Sequence, residues 1–132
     1  MAKSVDEAKR RLNSIFSKFM RGEAKGLVLT LLSLIRVRRK GLEASPENIA
    51  REASEILERT SDRIDWGIER GKYTVELASS LLEELVAMGV LEELEGAEDL
   101  LRRRYRIRRY DEEDLEDEVY RQLGVMFAMK CC

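Results

Sequence analysis

The hydrophobic period of this chain changes at Gly89, and that change limits the fold more than any other feature. Thr74 to Met88 repeats apolar residues at helical spacing, with Ala78 opening the stripe. Beyond the glycine, Val90 to Leu94 and Arg102 to Tyr110 alternate as strands on either side of an acidic turn. The 132 residues provide room for one core. The sequence therefore predicts a mainly α protein with a small β-hairpin.

Three segments before Thr74 carry the signals of helices. Ser4 to Glu7 fits a capping box, which predicts a first helix from Ser4 to Met20. Leu27 to Lys40 is apolar on nearly every side through Ile35, so we expect this second helix to be central. Ser45-Pro46-Glu47 combines an N-cap serine, a first-turn proline and a first-turn acid, and it predicts the start of a third helix.

Two more helices are predicted on weaker signals. Thr60 or Ser61 can cap a short helix that continues through Ile68, with Trp66 packed on the core. Asp111 can cap a final helix whose first turns are strongly acidic. The apolar positions of this final helix are Leu115, Val119, Leu123, Met126 and Phe127.

The order from Leu27 to Tyr110, about 84 of the 132 residues, is helix, helix, helix, hairpin. This order resembles the winged-helix (winged helix-turn-helix) family of DNA-binding proteins, as found in prokaryotic and archaeal regulators. The segments that carry the resemblance are Gly26-Leu27-Val28-Leu29, Ser45-Pro46-Glu47-Asn48-Ile49-Ala50 and the passage from Thr74 through Gly89-Val90-Leu91. It divides the chain into an N-terminal helix at 1–25, a winged-helix domain at 26–110 and a C-terminal helix at 111–132.

The resemblance implies a dimeric transcription regulator or chromatin-associated factor that binds double-stranded DNA. The helix Thr74 to Met88 would enter the major groove, the hairpin would touch the backbone, and the two terminal helices would form a homodimer. The groove contacts expected at the start of that helix are Lys72, Tyr73, Thr74 and Ser79.

The charges agree with this expectation only in part. Twenty-four Lys and Arg against 26 Asp and Glu give a net charge of −2, but the charges are segregated along the chain. Residues 1–44 sum to +7, 45–101 to −10, 102–110 to +6 and 111–132 to −5. Thr74 to Met88 contains Glu76, Glu83 and Glu84 and no Lys or Arg, although DNA phosphates favour cations.

The second strand holds the densest positive charge and is the predicted site of phosphate contact. Arginine suits this role because its planar guanidinium binds phosphate through two hydrogen bonds. The predicted phosphate contacts are Arg102, Arg103, Arg104, Arg106 and Arg108. The alternative is that the acids of Glu92 to Asp99 or of Asp111 to Glu118 neutralise these arginines within the protein.

A second functional hypothesis is a winged helix used for protein–protein contact, as a subunit or adaptor that does not bind DNA directly. The acidic helix Thr74 to Met88, the acidic turn of the hairpin and the apolar terminal helices favour it. No enzyme is expected, because the chain has no histidine and shows no nucleophile–base pair or glycine-rich phosphate loop. The adjacent Cys131 and Cys132 cannot supply a zinc site alone, so no metal or cofactor is predicted.

The remaining expectations concern the surroundings of the protein. No apolar run approaches the ~20 residues that span a bilayer and no signal peptide is recognised, so the cytoplasm is expected and a membrane partner is not. No small-molecule substrate is evident. The 17 Arg against 7 Lys and the three amide residues resemble the composition of thermophile proteins.

Overall fold

The structure is a computed structural model that describes residues 5–94, 103–108 and 115–131. Within these ranges it is mainly helical with one two-stranded antiparallel sheet, which confirms the predicted class. The elements are α1 (Val5–Met20), α2 (Lys25–Arg39), α3 (Pro46–Thr60), α4 (Val75–Ala87), β1 (Leu91–Leu94), β2 (Arg104–Ile107) and α5 (Glu116–Cys131).

Helix α2 is central, as its apolar sequence predicted. It contacts α1, α3, α4, α5 and β2, and its residues from Val28 to Ile35 are all buried. The two hydroxyls in this stretch are satisfied locally, since Thr30 and Ser33 donate to the carbonyls four residues earlier at 2.8 and 2.7 Å. The helix begins two residues earlier than predicted and includes Gly26, where a Cβ would lie 3.5 Å from Leu81 Cδ1 of α4.

Helix α3 begins where the sequence predicted. The Ser45 hydroxyl accepts a hydrogen bond from the Asn48 backbone N–H at 3.3 Å, and Pro46 occupies the first turn. The predicted short helix after it is wrong, because residues 61–74 contain only turns and irregular backbone. Thr60 and Ser61 donate their hydroxyls back to the carbonyls of Ile56 and Leu57, so they complete α3 instead of capping a new helix. Trp66 is buried, as predicted.

The hairpin follows α4 after Gly89, whose φ of 80° is a conformation that favours glycine. Leu91 pairs with Ile107 and Leu94 with Arg104. Tyr105 and Ile107 point into the core, as the alternating pattern predicted. The Tyr105 N–H donates to the Ala44 carbonyl at 3.1 Å, so the connection between α2 and α3 lies along the edge of β2 that faces away from β1.

Helices α1 and α5 pack on α2 and on each other, and both contribute to the single hydrophobic core. Phe19 of α1 stacks on Trp66 with ring centroids 5.5 Å apart, and Phe127 of α5 meets Trp66 edge-on at 5.5 Å. The expected apolar positions of α5 are all buried or half-buried. The caps predicted at Ser4 and Asp111 lie outside the described residues. None of the described helices is long and apolar enough to cross a membrane.

Candidate binding surfaces

The exposed side of α4 is acidic. Ala78, Leu82 and Leu85 face the core and are fully buried. The residues that α4 exposes to solvent are Glu76, Ser80, Glu83, Glu84 and Ala87. Val75–Ala87 contains no Lys or Arg, and none of its three glutamates forms an ion pair with another residue that the structure describes. We call these three glutamates the α4 acidic face.

The α4 acidic face is close enough to the hairpin to affect the pKa of Tyr105. Burial is the largest cause of the raised pKa of the Tyr105 hydroxyl, the charge of Glu93 raises it further and that of Glu83 adds a smaller increase, while the charge and hydrogen bond of Arg103 act in the opposite direction. Tyr105 is buried, so the negative charges of these glutamates act on its hydroxyl through the protein interior as well as through water. The negative potential of α4 therefore extends toward the strand that carries the arginines.

Three of the residues predicted to touch a DNA groove, Lys72, Thr74 and Ser79, lie just before α4 or within its first two turns. Thr74 is the N-cap, and its hydroxyl accepts from the Leu77 N–H at 3.1 Å. Lys72 is exposed, and Ser79 is half-buried beside the α4 acidic face. Lys72 is thus the only one of these three that brings a cation to the surface.

The fourth predicted groove contact, Tyr73, is not accessible to DNA because its side chain is buried. It is 3% exposed, and its hydroxyl lies 2.5 Å from Thr30 Oγ1. The Thr30 hydroxyl donates to Gly26, so Tyr73 is the donor in this contact. Burial raises the pKa of Tyr73 to about 12, although the hydrogen bond with Thr30 acts in the opposite direction. Tyr73 therefore anchors α4 to α2 and offers no free edge to a nucleic acid.

The arginines of the second strand lie against carboxylates. Arg103 Nε is 3.1 Å from Glu93 Oε1, and Arg106 Nε is 3.4 Å from Glu92 Oε1. Arg104 is 3.8 Å from Glu43, which belongs to the connection after α2. Arg108 bonds Val90 through its backbone N–H and has further interactions. Arg102, the remaining predicted phosphate contact, lies outside the described residues.

These pairs bear on whether acids within the protein neutralise the arginines of the second strand. Among the described residues, acids that pair with the arginines come from β1, within the segment Glu92 to Asp99 of the neutralisation alternative, and from Glu43. Arg104, Arg106 and Arg108 have further interactions as well. The described acids of the final helix are instead used elsewhere. Glu116 and Asp117 pair with Arg38 and Arg39 of α2, each at 2.6 Å. Glu116 has further interactions as well, and Asp111 to Asp114 of the same alternative lie outside the described residues.

A buried acid that the sequence reading missed organises the end of α2. Glu52 of α3 is 5% exposed and accepts from Arg36 at 3.0 Å and from Lys40 at 2.5 Å. Burial alone would raise the pKa of Glu52, but the hydrogen bonds and charges of Lys40 and Arg36 outweigh it, and the pKa lies below its ordinary value. The sequence contains a sign of this buried acid, because Glu52 lies within the apolar stripe of α3, between Ile49 and Ile56.

The described residues contain no group of three or more His, Cys, Asp or Glu side chains that could hold a metal ion. Comparisons of the chain with protein-family models, with curated protein sequences and with solved structures found no match.

Proposed function

We propose that this protein is a winged-helix-like interaction module that binds a basic surface of another protein through the α4 acidic face. The support for the winged-helix arrangement is the order α2, α3, α4, β1, β2, with the α2–α3 connection hydrogen-bonded to the outer edge of β2 through Ala44 and Tyr105. In such an arrangement the exposed side of α4 is the side that meets a partner.

One observation carries the choice of partner. Glu76, Glu83 and Glu84 are exposed on one helix and are not balanced by any described cation. Duplex DNA presents one negative charge about every 1.7 Å of its axis, so this face would repel it. A lysine- or arginine-rich protein surface has the complementary potential and would be steered toward it.

The neutralised hairpin supports the same choice. Binding phosphate through Arg103 or Arg106 would require separating each guanidinium from Glu93 or Glu92, the carboxylates 3.1 and 3.4 Å away. These pairs are half-buried and still reached by solvent, so each contributes on the order of 1 kcal/mol and does not forbid a phosphate contact. They do remove much of the positive potential that would attract a duplex.

The test is a fluorescence anisotropy titration with a labelled lysine- and arginine-rich peptide. We expect E76Q/E83Q/E84Q to bind it about 10-fold more weakly than the unaltered chain, a loss of ~1.4 kcal/mol spread over three contacts. The matched control is E47Q/E58Q/E69Q, which removes the same charge from exposed glutamates outside α4. An equal loss in both variants, or no loss in either, would contradict binding through the α4 acidic face.

Duplex DNA is the second candidate partner, in a regulator or chromatin-associated role. It is favoured by the alternation that sets Arg104, Arg106 and Arg108 on one side of the hairpin, and by the exposed Lys72. For this candidate, R104A/R106A weakens binding to duplexes of different sequence alike and lowers the salt dependence. No binding of a random duplex at micromolar protein and low salt would leave only the protein-interaction role.

Self-association through the terminal helices also remains a proposal. A groove of about 460 Å³ between α1 and α5 is lined by Phe16, Met20, Val125 and Met126, among others. Val125 is 54% and the nearby Met129 is 63% exposed. A second copy of the chain would bury these side chains. Light scattering should then show a dimer that V125D/M129D converts to a monomer, whereas a monomeric unaltered chain would contradict the proposal.

A further inference from the structure

An apolar recess beside the aromatic cluster lies between α2, α3, the 61–74 segment and α5. It has a volume of about 230 Å³. Its apolar walls are Leu32, Ile56, Trp66, Tyr120 and Phe127. Trp66 is fixed in place because its Nε1 donates to Thr60 Oγ1 at 2.8 Å. The recess therefore has rigid aromatic walls and can hold a small apolar body.

The polar lining of this recess is cationic. Arg36 and Arg59 line it, and no carboxylate does. Arg36 uses its Nε toward Glu52, while its two terminal nitrogens have no hydrogen-bond partner within the described ranges. Arg59 is exposed, and its guanidinium has neither an ion pair nor a hydrogen bond to any described residue. These two side chains present unused donors at the edge of an apolar cavity.

A neighbouring cavity extends the cationic lining. It shares Arg36 and Tyr120 with the first and is otherwise lined by Arg39 and Lys40. Arg39 lies over the Tyr120 ring, 4.1 Å from its centroid, which holds the ring between the two cavities. The described acids that pair with these cations, Glu52, Glu55 and Asp117, line neither cavity.

Gly124 of α5 also forms part of the wall of the recess. It lies in the interior of α5, where glycine is less favourable than alanine. A Cβ at this position would meet nothing within 4 Å, so the glycine is not required by packing or by an unusual backbone angle. It does line the recess, and its missing side chain leaves that wall open.

We infer that this recess binds a small organic anion that joins a carboxylate to one aromatic ring or a short branched apolar chain. The apolar body packs on Trp66 and Phe127, and the carboxylate accepts from Arg59 and from the free nitrogens of Arg36. The volume is below the ~300–1,000 Å³ of sites for drug-sized ligands, so one ring is the largest body expected. The inference does not depend on the proposed partner of α4.

The experiment uses Trp66 as its reporter, because it is the one tryptophan in the chain. The full chain is titrated with phenylacetate, with the uncharged phenylacetamide and with acetate, while Trp66 fluorescence is recorded. We expect saturable binding of phenylacetate in the millimolar range or tighter. Phenylacetamide and acetate should each bind about 10-fold more weakly, because each lacks one half of the recognised structure.

Two variants locate the binding. R59Q should weaken phenylacetate binding about 5- to 10-fold, the usual range for losing one charge-assisted hydrogen bond. G124L should abolish binding by filling the recess, with circular dichroism showing that the helical fold is kept. The matched control is R10Q, which removes another exposed arginine, on α1. Absence of saturable phenylacetate binding, or equal binding in R59Q and the unaltered chain, would overturn the inference.

Discussion

The end of α2 and the exposed side of α4 use charge in opposite ways. At the end of α2, Arg36, Arg38, Arg39 and Lys40 all have carboxylate partners from α3 or α5. Along α4, the glutamates have no described cation beside them, and the helix is held by its apolar side, its N-cap and the Tyr73 anchor. Each cation at the end of α2 is therefore paired with a carboxylate of the protein itself, whereas the glutamates of α4 remain available to a partner.

This difference gives five tests, because the two regions should respond differently to substitution, pH and salt. The largest effect is expected at the Tyr73 anchor. Its pKa is raised from 10.0 to about 12, so the folded state favours the neutral hydroxyl. The resulting stability is fully present below pH 10 and is lost as the pH rises toward 12, by about 2–3 kcal/mol in the free energy of unfolding.

Denaturant unfolding at a series of alkaline pH values measures this loss. Y73F removes the titrating group, so its stability should fall less steeply above pH 10, although the raised pKa of Tyr105 keeps part of the slope. The unaltered chain and Y73F would have parallel alkaline curves if Tyr73 were not a buried anchor.

The second effect compares one glutamate from each region. E52Q removes the charge that Arg36 and Lys40 share and should cost about 2 kcal/mol of unfolding free energy, because those cations keep only part of their hydration. E84Q removes an unpaired exposed charge and should change it by less than ~0.5 kcal/mol. Urea unfolding at neutral pH measures both, and similar costs would erase the distinction between the regions.

The same pair of variants predicts the response to acid. The Glu52 pKa lies below its ordinary value of 4.5, so the stability that its charge contributes is present above that pH and is lost as the pH falls through the lowered pKa of the folded state. Stability curves recorded below pH 5 should therefore be flatter for E52Q than for the unaltered chain, with E84Q following the unaltered chain. A curve for E52Q as steep as that of the unaltered chain would show that Glu52 is not the group responsible.

A smaller effect is expected at the start of α4. T74A removes the N-cap hydroxyl that accepts from Leu77 and should destabilise the protein by about 1 kcal/mol. S80A, on the exposed side of the same helix, is the control and should be nearly neutral. Thermal unfolding followed by circular dichroism compares them, and a neutral T74A would mean that α4 is fixed by its apolar contacts alone.

The smallest effect concerns the outermost ion pair of the α2 region. Asp117 is highly exposed, and its pair with Arg39 should contribute no more than ~0.5 kcal/mol at low salt. D117N should therefore lower stability slightly at low ionic strength and not at all in high salt. A salt-independent loss in the same denaturation assay would indicate that Asp117 acts through packing.

The sequence predicted the helices well where start signals and period coincide. Ser45-Pro46-Glu47 and Thr74 correctly located α3 and α4 within one residue, and the alternation in β2 correctly placed Tyr105 and Ile107 inside. The short helix near Trp66 failed because Thr60 and Ser61 can bond backward as well as cap forward. Local sequence does not decide between these two uses of a hydroxyl.

The surfaces were harder to predict because charge sums along the chain do not record which segments meet. Residues 102–110 sum to +6, yet three of their described arginines lie against Glu43, Glu92 and Glu93 from two other segments. Of the described acids of the final helix, Glu116 and Asp117 pair with α2 and Glu118 pairs with α1. The cavity beside Trp66 needs four segments to form its walls, so no single stretch of sequence indicated it.

The most direct test of the central claim is an amide chemical-shift map of the full chain by nuclear magnetic resonance. The protein is titrated first with a lysine- and arginine-rich peptide and then, in a separate sample, with a random duplex. The account predicts that the peptide shifts the amides of Glu76, Glu83 and Glu84 and that the duplex produces no saturable shifts. Saturable shifts centred on Arg104 and Arg106 with the duplex, and none on α4 with the peptide, would contradict it.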